Sequence, residues 1–204
     1  MNEPDLYQTI AQPSIAEFKD RGSRFLAYAY PIKTVEDFKE KLQLLKKEHP
    51  KAVHHCFAYR LGLDGNNYRV SDDGEPPGTA GKPILGQLDS KGLTNTLIIV
   101  VRYFGGTLLG VPGLINAYKS AASMALQLTP FIQRSVTVTC QITFDYTQMN
   151  DVMRWIKAFN CEVVKQEMQL FCKLVAEVPK NRINELKQLL SDVRGVEISL
   201  NTQA

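Results

Sequence analysis

The sequence predicts an α+β protein of two domains, and three features support this prediction. Strand-like and helix-like segments alternate along the 204 residues, as in proteins that pack helices against a sheet. Glycine and proline concentrate in residues 71–83, a density that fixes special backbone angles and indicates a structured loop. A second, complete pattern of strands and helices begins after Thr129-Pro130. We therefore place the domains at residues 1–131 and 132–204.

Composition and charge limit the class of protein. The chain is 44% hydrophobic and 22% charged, as expected of a globular protein with a sizeable core. We expect no signal peptide, because the N-terminus is polar and acidic, and no membrane association, because no apolar run could span a bilayer. Four cysteines without a C-x-x-C pair or zinc spacing favour a reducing, cytoplasmic setting, and we assign no metal or cofactor.

The net charge of +3 is unevenly distributed along the chain. Residues 1–134 carry 16 lysines and arginines against 13 acids, and residues 135–204 carry 8 of each. A dedicated nucleic-acid-binding domain usually has a larger basic excess. Nucleic-acid binding is thus compatible with this charge only if the basic residues cluster in space.

The first domain opens with extended chain over residues 6–32, in which the run Phe25–Tyr30 has the aromatic content of a strand. Thr34 is the predicted N-cap of a helix, because acids occupy the turn behind it. Apolar residues then recur at helical spacing as far as Leu45, and Pro50 ends the helix.

The next predicted strand, over residues 52–61, carries His54, His55 and Cys56. Adjacent strand residues point to opposite faces, so we do not expect the two histidines to share a metal. For the same reason Cys56 is not expected to form a nucleophile pair with its neighbour, and a cysteine protease is excluded.

The rest of the first domain continues the alternation of strands and helices. A tight turn at Asp64-Gly65 leads to a strand at Tyr68–Val70, and the glycine-rich and proline-rich loop follows. A helix around Ile84–Leu88, a strand over Thr96–Phe104 and a helix over Pro112–Leu128 complete the domain.

Two loops of this domain have the features of anion sites. Thr79 is a predicted N-cap, and the first-turn amides behind it, beside Lys82, would form a positive site. Gly105 and Gly106, after the following strand, would let the backbone approach a ligand closely. Neither loop has a P-loop or G-x-G-x-x-G sequence, and purely structural turns explain each loop equally well.

The acids of the first loop allow several interpretations. Asp72, Asp73 and Glu75 lie on a turn, where they could hold a divalent cation or act as acid and base. They could equally be internal partners of arginines, for example Asp73 with Arg24 or Arg102. The sequence alone leaves these alternatives open.

The second domain has its own periodicity. Strands are predicted at 136–144, 162–166, 170–178 and 196–200, and helices at 149–156 and from Pro179 to Leu190. The order βαββαβ is that of the ferredoxin-like fold. No cluster of histidine, cysteine or acid has the spacing of a site here.

Several motifs of the first domain form a set. The longest are SDDGEPPGTAGKP at 71–83, VVRYFGG at 100–106 and LGVPGLINAY at 109–118. Ser23-Arg24-Phe25 and His54-His55-Cys56 are shorter. Together they resemble the signature of the IMPACT family, in its bacterial YigZ-like branch, over residues 10–120. The family usually has glycine where this chain has Pro112, which removes one N–H donor.

The resemblance implies a fold and a role. The first domain would be an α/β sandwich similar to the second domain of ribosomal protein S5 and to domain IV of elongation factor G. The second domain would be similar to domain V of that factor. The resemblance also implies a link to translation, because eukaryotic IMPACT proteins are associated with translational control under amino-acid starvation.

We therefore interpret the chain as a cytoplasmic protein that binds nucleic acid or the ribosome and regulates translation or a stress response. RNA, the ribosome or translation factors would be its partners. Phosphates would contact arginine and lysine, and a base would stack on tyrosine. The predicted binding residues, expected to converge on one surface, are Arg24, His54, Asp72, Asp73, Glu75, Lys82, Arg102, Tyr103, Gly105 and Gly106. The alternative is a metal- or phosphate-dependent enzyme with its site in the loops at 71–83 and 102–113.

Overall fold

A computed structural model describes residues 5–200. The described chain divides into two compact units: residues 7–134 form the first, and residues 135–200, with residues 5 and 6, form the second. These units differ from the predicted limits of 1–131 and 132–204 by three residues at the junction and in the placing of residues 5 and 6. Among residues 5–200, no helix is both long and apolar enough to cross a membrane.

The first unit is built on a five-stranded antiparallel sheet. In chain order its elements are β1 (Leu6–Ile10), β2 (Ser14–Asp20), β3 (Ser23–Pro31), α1 (Val35–Glu48), β4 (His54–Arg60), β5 (Tyr68–Ser71), α2 (Gly81–Ser90), β6 (Thr96–Tyr103), α3 (Gly110–Gln127) and β7 (Phe131–Ser135). The sheet has the order β2-β3-β6-β4-β5, and β1 pairs separately with β7.

Helices cover both faces of this sheet. In the central strand β6, every residue from Thr96 to Arg102 is buried, and such a continuous apolar run needs cover on both sides. Ile98 and Val100 pack in the core beneath α2 and α3, whereas Leu97 and Ile99 pack in the core beneath α1. We call the two sides the α2–α3 face and the α1 face.

The predicted start of α1 is confirmed. Thr34 Oγ1 accepts a hydrogen bond from the Asp37 amide at 3.1 Å, and the Asp37 carboxylate accepts one from the Thr34 amide at 2.9 Å. This reciprocal capping box satisfies two amides that the first turn would otherwise leave unpaired. Phe38 and Leu45, on the apolar side of α1, are buried against the sheet.

The second unit has the predicted ferredoxin-like arrangement. Its elements are β8 (Thr137–Asp145), α4 (Met149–Ala158), β9 (Glu162–Glu167), β10 (Phe171–Pro179), α5 (Ile183–Ser191) and β11 (Val196–Leu200), with a short 3-10 turn before each helix. The antiparallel sheet has the order β11-β8-β10-β9. The two-domain α+β fold class is thus confirmed.

We expect residues 135–204 to fold without the first unit. Phe144, Leu174 and Leu186 are fully or almost fully buried in a core made only by this unit. Trp155, the one tryptophan of the chain, packs against that core. Its fluorescence in the isolated fragment should report a single cooperative denaturant transition, with an unfolding free energy of about 3–5 kcal/mol. A gradual change without a transition would contradict this expectation.

Candidate functional site

The motif-bearing segments of the first unit meet at one end of the sheet. Antiparallel pairing places Arg24, near the start of β3, opposite Tyr103 at the end of β6. It also places His54, at the start of β4, opposite Arg102. Strand β5 ends on the same side, at Ser71, where the glycine-rich and proline-rich loop begins. The segments therefore meet at one end of the sheet, which we call the motif end. Their side chains divide between its two faces, so they do not form the single surface that was expected.

On the α2–α3 face, Glu75 links the loop at residues 71–83 to β6 and α3 by hydrogen bonds. Its side chain is 3% exposed. One oxygen, Oε1, accepts hydrogen bonds from Arg102 Nη1 at 2.5 Å and from the Tyr118 hydroxyl at 2.7 Å. His54 Nε2 lies 3.8 Å from the same oxygen. Burying a carboxylate is costly unless charge and hydrogen bonds compensate it, so these contacts hold the loop in one position.

Arg102 is enclosed rather than presented to a ligand. It is 5% exposed, and its guanidinium carbon lies 5.4 Å from the ring centroid of Phe25 and 5.6 Å from that of Phe104. Within residues 5–200 its buried Nε has no hydrogen-bond partner. The charge of Arg102 is thus buried and bound to Glu75, and it does not lie on an exposed surface as the expected phosphate contact would require.

Asp72 occupies the helix end that was predicted to bind an anion. Its Oδ1 accepts hydrogen bonds from the amides of Ala80 at 3.0 Å and Gly81 at 2.9 Å, and its Oδ2 accepts one from Gly78 at 2.8 Å. Burial alone would raise the pKa of Asp72, but the three amides, aided by Lys82, lower it below its usual value. A carboxylate of the protein itself thus neutralises the positive end of α2.

The predicted N-cap at Thr79 is wrong by one residue. Helix α2 begins at Gly81 with Ala80 as its N-cap, and Thr79 Oγ1 instead donates to the Pro76 carbonyl at 2.7 Å. Gly81 is needed for close packing, because a Cβ there would lie 2.8 Å from the amide nitrogen of Ser71. Thr79 thus bonds within the loop, and the exposed Lys82 lies two residues after the N-cap Ala80.

Asp73 also serves the fold. Its Oδ2 accepts a hydrogen bond from the His55 amide at 2.7 Å, and its carbonyl is 2.7 Å from His54 Nδ1. A carbonyl only accepts, so Nδ1 of His54 carries the hydrogen. The suggested pairing of Asp73 with Arg24 or Arg102 is wrong, although the more general interpretation of the acids as internal partners fits all three carboxylates.

Cys56 is bound to the loop and is not set up as a nucleophile. The Cys56 thiol donates to the Asp72 carbonyl at 3.0 Å, and burial raises its pKa well above the ordinary value, which disfavours the reactive thiolate. In the described part of the chain, no group of three or more histidine, cysteine or acidic side chains is arranged to hold a metal ion.

Gly105 and Gly106 are required for different reasons. A Cβ on Gly105 would overlap the backbone of Gly22, and the Gly105 amide donates to Ser23 Oγ at 3.1 Å. Gly106 has open space around it but adopts φ +86°. Gly105 therefore makes a close approach to another segment of the chain.

The α1 face of the motif end has a different character. The Arg24 guanidinium lies 5.9 Å above the centroid of the half-buried Tyr103 ring, and its Nε donates to Glu17 at 2.5 Å. The Tyr103 hydroxyl is 2.8 Å from His49 Nδ1, and His49 Nε2 is 2.7 Å from the Tyr28 hydroxyl. Burial, followed by Glu48, raises the pKa of Tyr28 to about 12. These bonds fix the orientation of the Tyr103 ring.

Two lysines lie close to His49 in the sequence. Lys46, in the last turn of α1, is close enough to lower the pKa of the buried His55, although burial is the larger cause. Lys51 follows two residues after His49. Both lysines are exposed, and neither forms an ion pair within residues 5–200. The α1 face thus presents an oriented aromatic ring under Arg24, and its histidine partner lies between two exposed lysines in the sequence.

Sequence reasoning missed two residues of the motif end. Tyr118 lies on the alanine-rich side of α3, and a tyrosine in such a buried stripe needs a partner for its hydroxyl, which was an available signal. His49 is the C-cap residue of α1. Its bonds to two tyrosines depend on the packing of α1, and nothing local in the sequence indicates them.

Comparisons with known proteins agree with this architecture. The family model described as the Impact N-terminal domain matches residues 21–126. An IMPACT family member of Haemophilus influenzae is 32% identical over 180 residues, which are 87% of each chain. IMPACT family member YigZ of Escherichia coli is 33% identical over 174 residues, 84% of this chain and 85% of that protein. The crystal structure of a hypothetical protein matches 97% of both chains with a TM-score of 0.74 and 30% identity. The chain therefore belongs to the IMPACT family.

Proposed function

We propose that this protein acts in translation, or in its regulation under stress, as a cytoplasmic RNA-binding protein. Membership of the IMPACT family supports the link to translation, which the motif resemblance implies for eukaryotic members. The four cysteines are free thiols, as a reducing compartment such as the cytoplasm maintains. The ribosome is the RNA-rich partner that this role suggests.

The arrangement of Arg24 over Tyr103 is the observation that carries the RNA part. Proteins bind unpaired RNA by stacking bases on aromatic rings and by pairing phosphates with cations. Tyr103 supplies a ring whose hydroxyl is fixed by His49, so little freedom is lost when a base stacks on it. Lys46 and Lys51, close in sequence to His49, are exposed and can supply further positive charge.

The net charge of the first unit also favours RNA binding. Residues 7–134 carry 16 lysines and arginines against 11 acids, a formal net charge of +5. Most of the affinity for RNA without sequence preference comes from phosphate neutralisation. Glu17 competes with RNA phosphates for Arg24, because its carboxylate binds Arg24 in the free protein.

We expect Arg24→Gln and Glu17→Gln to change RNA affinity in opposite directions. The first removes a cation, and the second releases the same cation from its internal partner. Fluorescence anisotropy with a labelled single-stranded RNA of mixed sequence, over a salt series, measures both. Loss of one phosphate contact should flatten the logarithmic salt slope by about 0.7. Lys91→Ala, which removes an exposed cation after the C-terminal end of α2, is the control and should change affinity least.

The ring of Tyr103 is tested separately. Tyr103→Leu should weaken binding of single strands by roughly 5-fold to 100-fold, since stacking of one base contributes about 1–3 kcal/mol. Tyr103→Phe keeps the ring and removes the hydroxyl, so it should retain most of the affinity. Undetectable binding at low salt, or unchanged affinity in folded Arg24→Gln and Tyr103→Leu proteins, would refute the proposal.

A further inference from the structure

The outer side of α3 and the loop before it expose large apolar side chains. Leu108 is 82% exposed, the highest value for a large hydrophobic residue among residues 5–200, and Val111 and Ile115 are 51% and 38% exposed. Val111 and Ile115 are one helical turn apart, and Leu108 lies three residues before the first of them. We call these three exposed residues the apolar ridge.

The ridge lies in a part of the chain without acids. From Ser90 to Phe144 the sequence contains no aspartate or glutamate, so α3 has none in its 18 residues. The exposed side of a surface helix normally carries charges of both signs. Here Lys119, one turn beyond Ile115, is the charged residue of the helix, and it forms no ion pair within the described chain.

The N-terminal end of α3 adds to this positive character. No side chain within residues 5–200 caps the helix at Leu109, and its first turn contains no acid. The positive end of the helix dipole is therefore uncompensated next to the ridge. Two acids of the neighbouring elements are already paired, since Asp89 of α2 binds Arg60 and Glu17 of β2 binds Arg24. Asp20, the last residue of β2, has no ion pair among residues 5–200.

The chemistry of the ridge identifies the class of partner. Three aliphatic side chains with a single lysine offer few contacts to a phosphate backbone, which binds through several cations. A second copy of the chain would bring the same positive, acid-free surface against itself. An amphipathic helix with acidic flanks complements both features, since its apolar side can cover the ridge and its acids can lie near Lys119 and the helix end.

We propose that the apolar ridge is a docking surface for an acidic amphipathic segment of a partner protein. The bound segment lays its apolar side on Leu108, Val111 and Ile115. This site lies on α3, whereas the RNA surface lies on the α1 face, so neither proposal depends on the other.

The test uses the full chain and a labelled synthetic amphipathic peptide with leucines at helical spacing and glutamates between them. One control peptide has lysines in place of the glutamates, and another has the same composition in scrambled order. We expect only the first to bind in anisotropy measurements, with amide and methyl NMR shifts centred on the ridge. Leu108→Ser and Ile115→Ser should each weaken its binding by tenfold or more.

A matched variant separates the ridge from general hydrophobicity. Leu44 on α1 is 50% exposed, and Leu44→Ser should leave peptide binding unchanged. Equal binding of the lysine peptide, or unchanged binding by folded Leu108→Ser and Ile115→Ser proteins, would overturn the proposal. A concentration-dependent dimer that Ile115→Ser dissolves would assign the ridge to self-association instead. RNA affinity should be unaffected by both ridge variants.

Discussion

Replacing Arg102 with methionine should lower the free energy of unfolding of the first unit by about 3–5 kcal/mol, because it leaves a buried carboxylate without its cation. Glu75 would keep the hydrogen bond from Tyr118 but lose the charge that balances it, at a side-chain exposure of 3%. Methionine matches the length of the arginine stem, so little of the loss comes from a cavity. Denaturant unfolding followed by far-ultraviolet circular dichroism measures the change.

The companion variant removes both charges. Glu75→Leu together with Arg102→Met should be less destabilised than Arg102→Met alone, because an apolar pair replaces a buried ion pair at little net cost. Glu17→Gln, at an exposed pair on the other face of the sheet, should leave stability nearly unchanged. If Arg102→Met has the same unfolding free energy as the unchanged protein, the ion pair between Glu75 and Arg102 does not stabilise the first unit. Other contacts would then hold the loop in place.

The elements of the fold were predictable because their signals are local. The fully apolar run of β6 indicates a strand covered on both faces, and Thr34 with the following acids indicates a helix start. The partners of the loop acids were not predictable. Glu75 meets Arg102 from 27 positions away, and Asp72 caps a helix eight or nine residues later. Such contacts follow from how the loop folds back, which its glycines permit but do not specify.

The division of the candidate site between two faces could have been predicted from the alternation of side chains along a strand. Neighbouring residues of a strand point to opposite sides, which separated His54 from His55 correctly. The same rule separates Arg102 from Tyr103. Grouping those two as one binding surface was wrong, and the buried member proved structural. The alternation of side chains along β6 therefore separates the buried ion pair of Arg102 from the half-buried ring of Tyr103 within a single motif.

Gly105→Ala should destabilise the first unit by about 3 kcal/mol or more, although alanine is the smallest possible change. The added Cβ would overlap the carbonyl carbon of Gly22 and the amide nitrogen of Ser23. Both obstacles are backbone, which cannot turn aside as a flexible side chain does, so the turn before β3 or the end of β6 has to move. That movement would also break the hydrogen bond from the Gly105 amide to Ser23 Oγ.

Two other glycines separate this steric effect from general effects of alanine. Gly106→Ala meets no atom within 4 Å but keeps φ +86°, so it should cost about 1–2 kcal/mol through backbone strain alone. Gly86, inside α2, also has open space around it, and Gly86→Ala should stabilise the unit by about 0.5–1 kcal/mol. Far-ultraviolet circular dichroism of the three variants should therefore rank Gly105→Ala lowest and Gly86→Ala highest in unfolding free energy. A Gly105→Ala protein as stable as Gly106→Ala would mean that the two backbones do not pack directly against each other in solution.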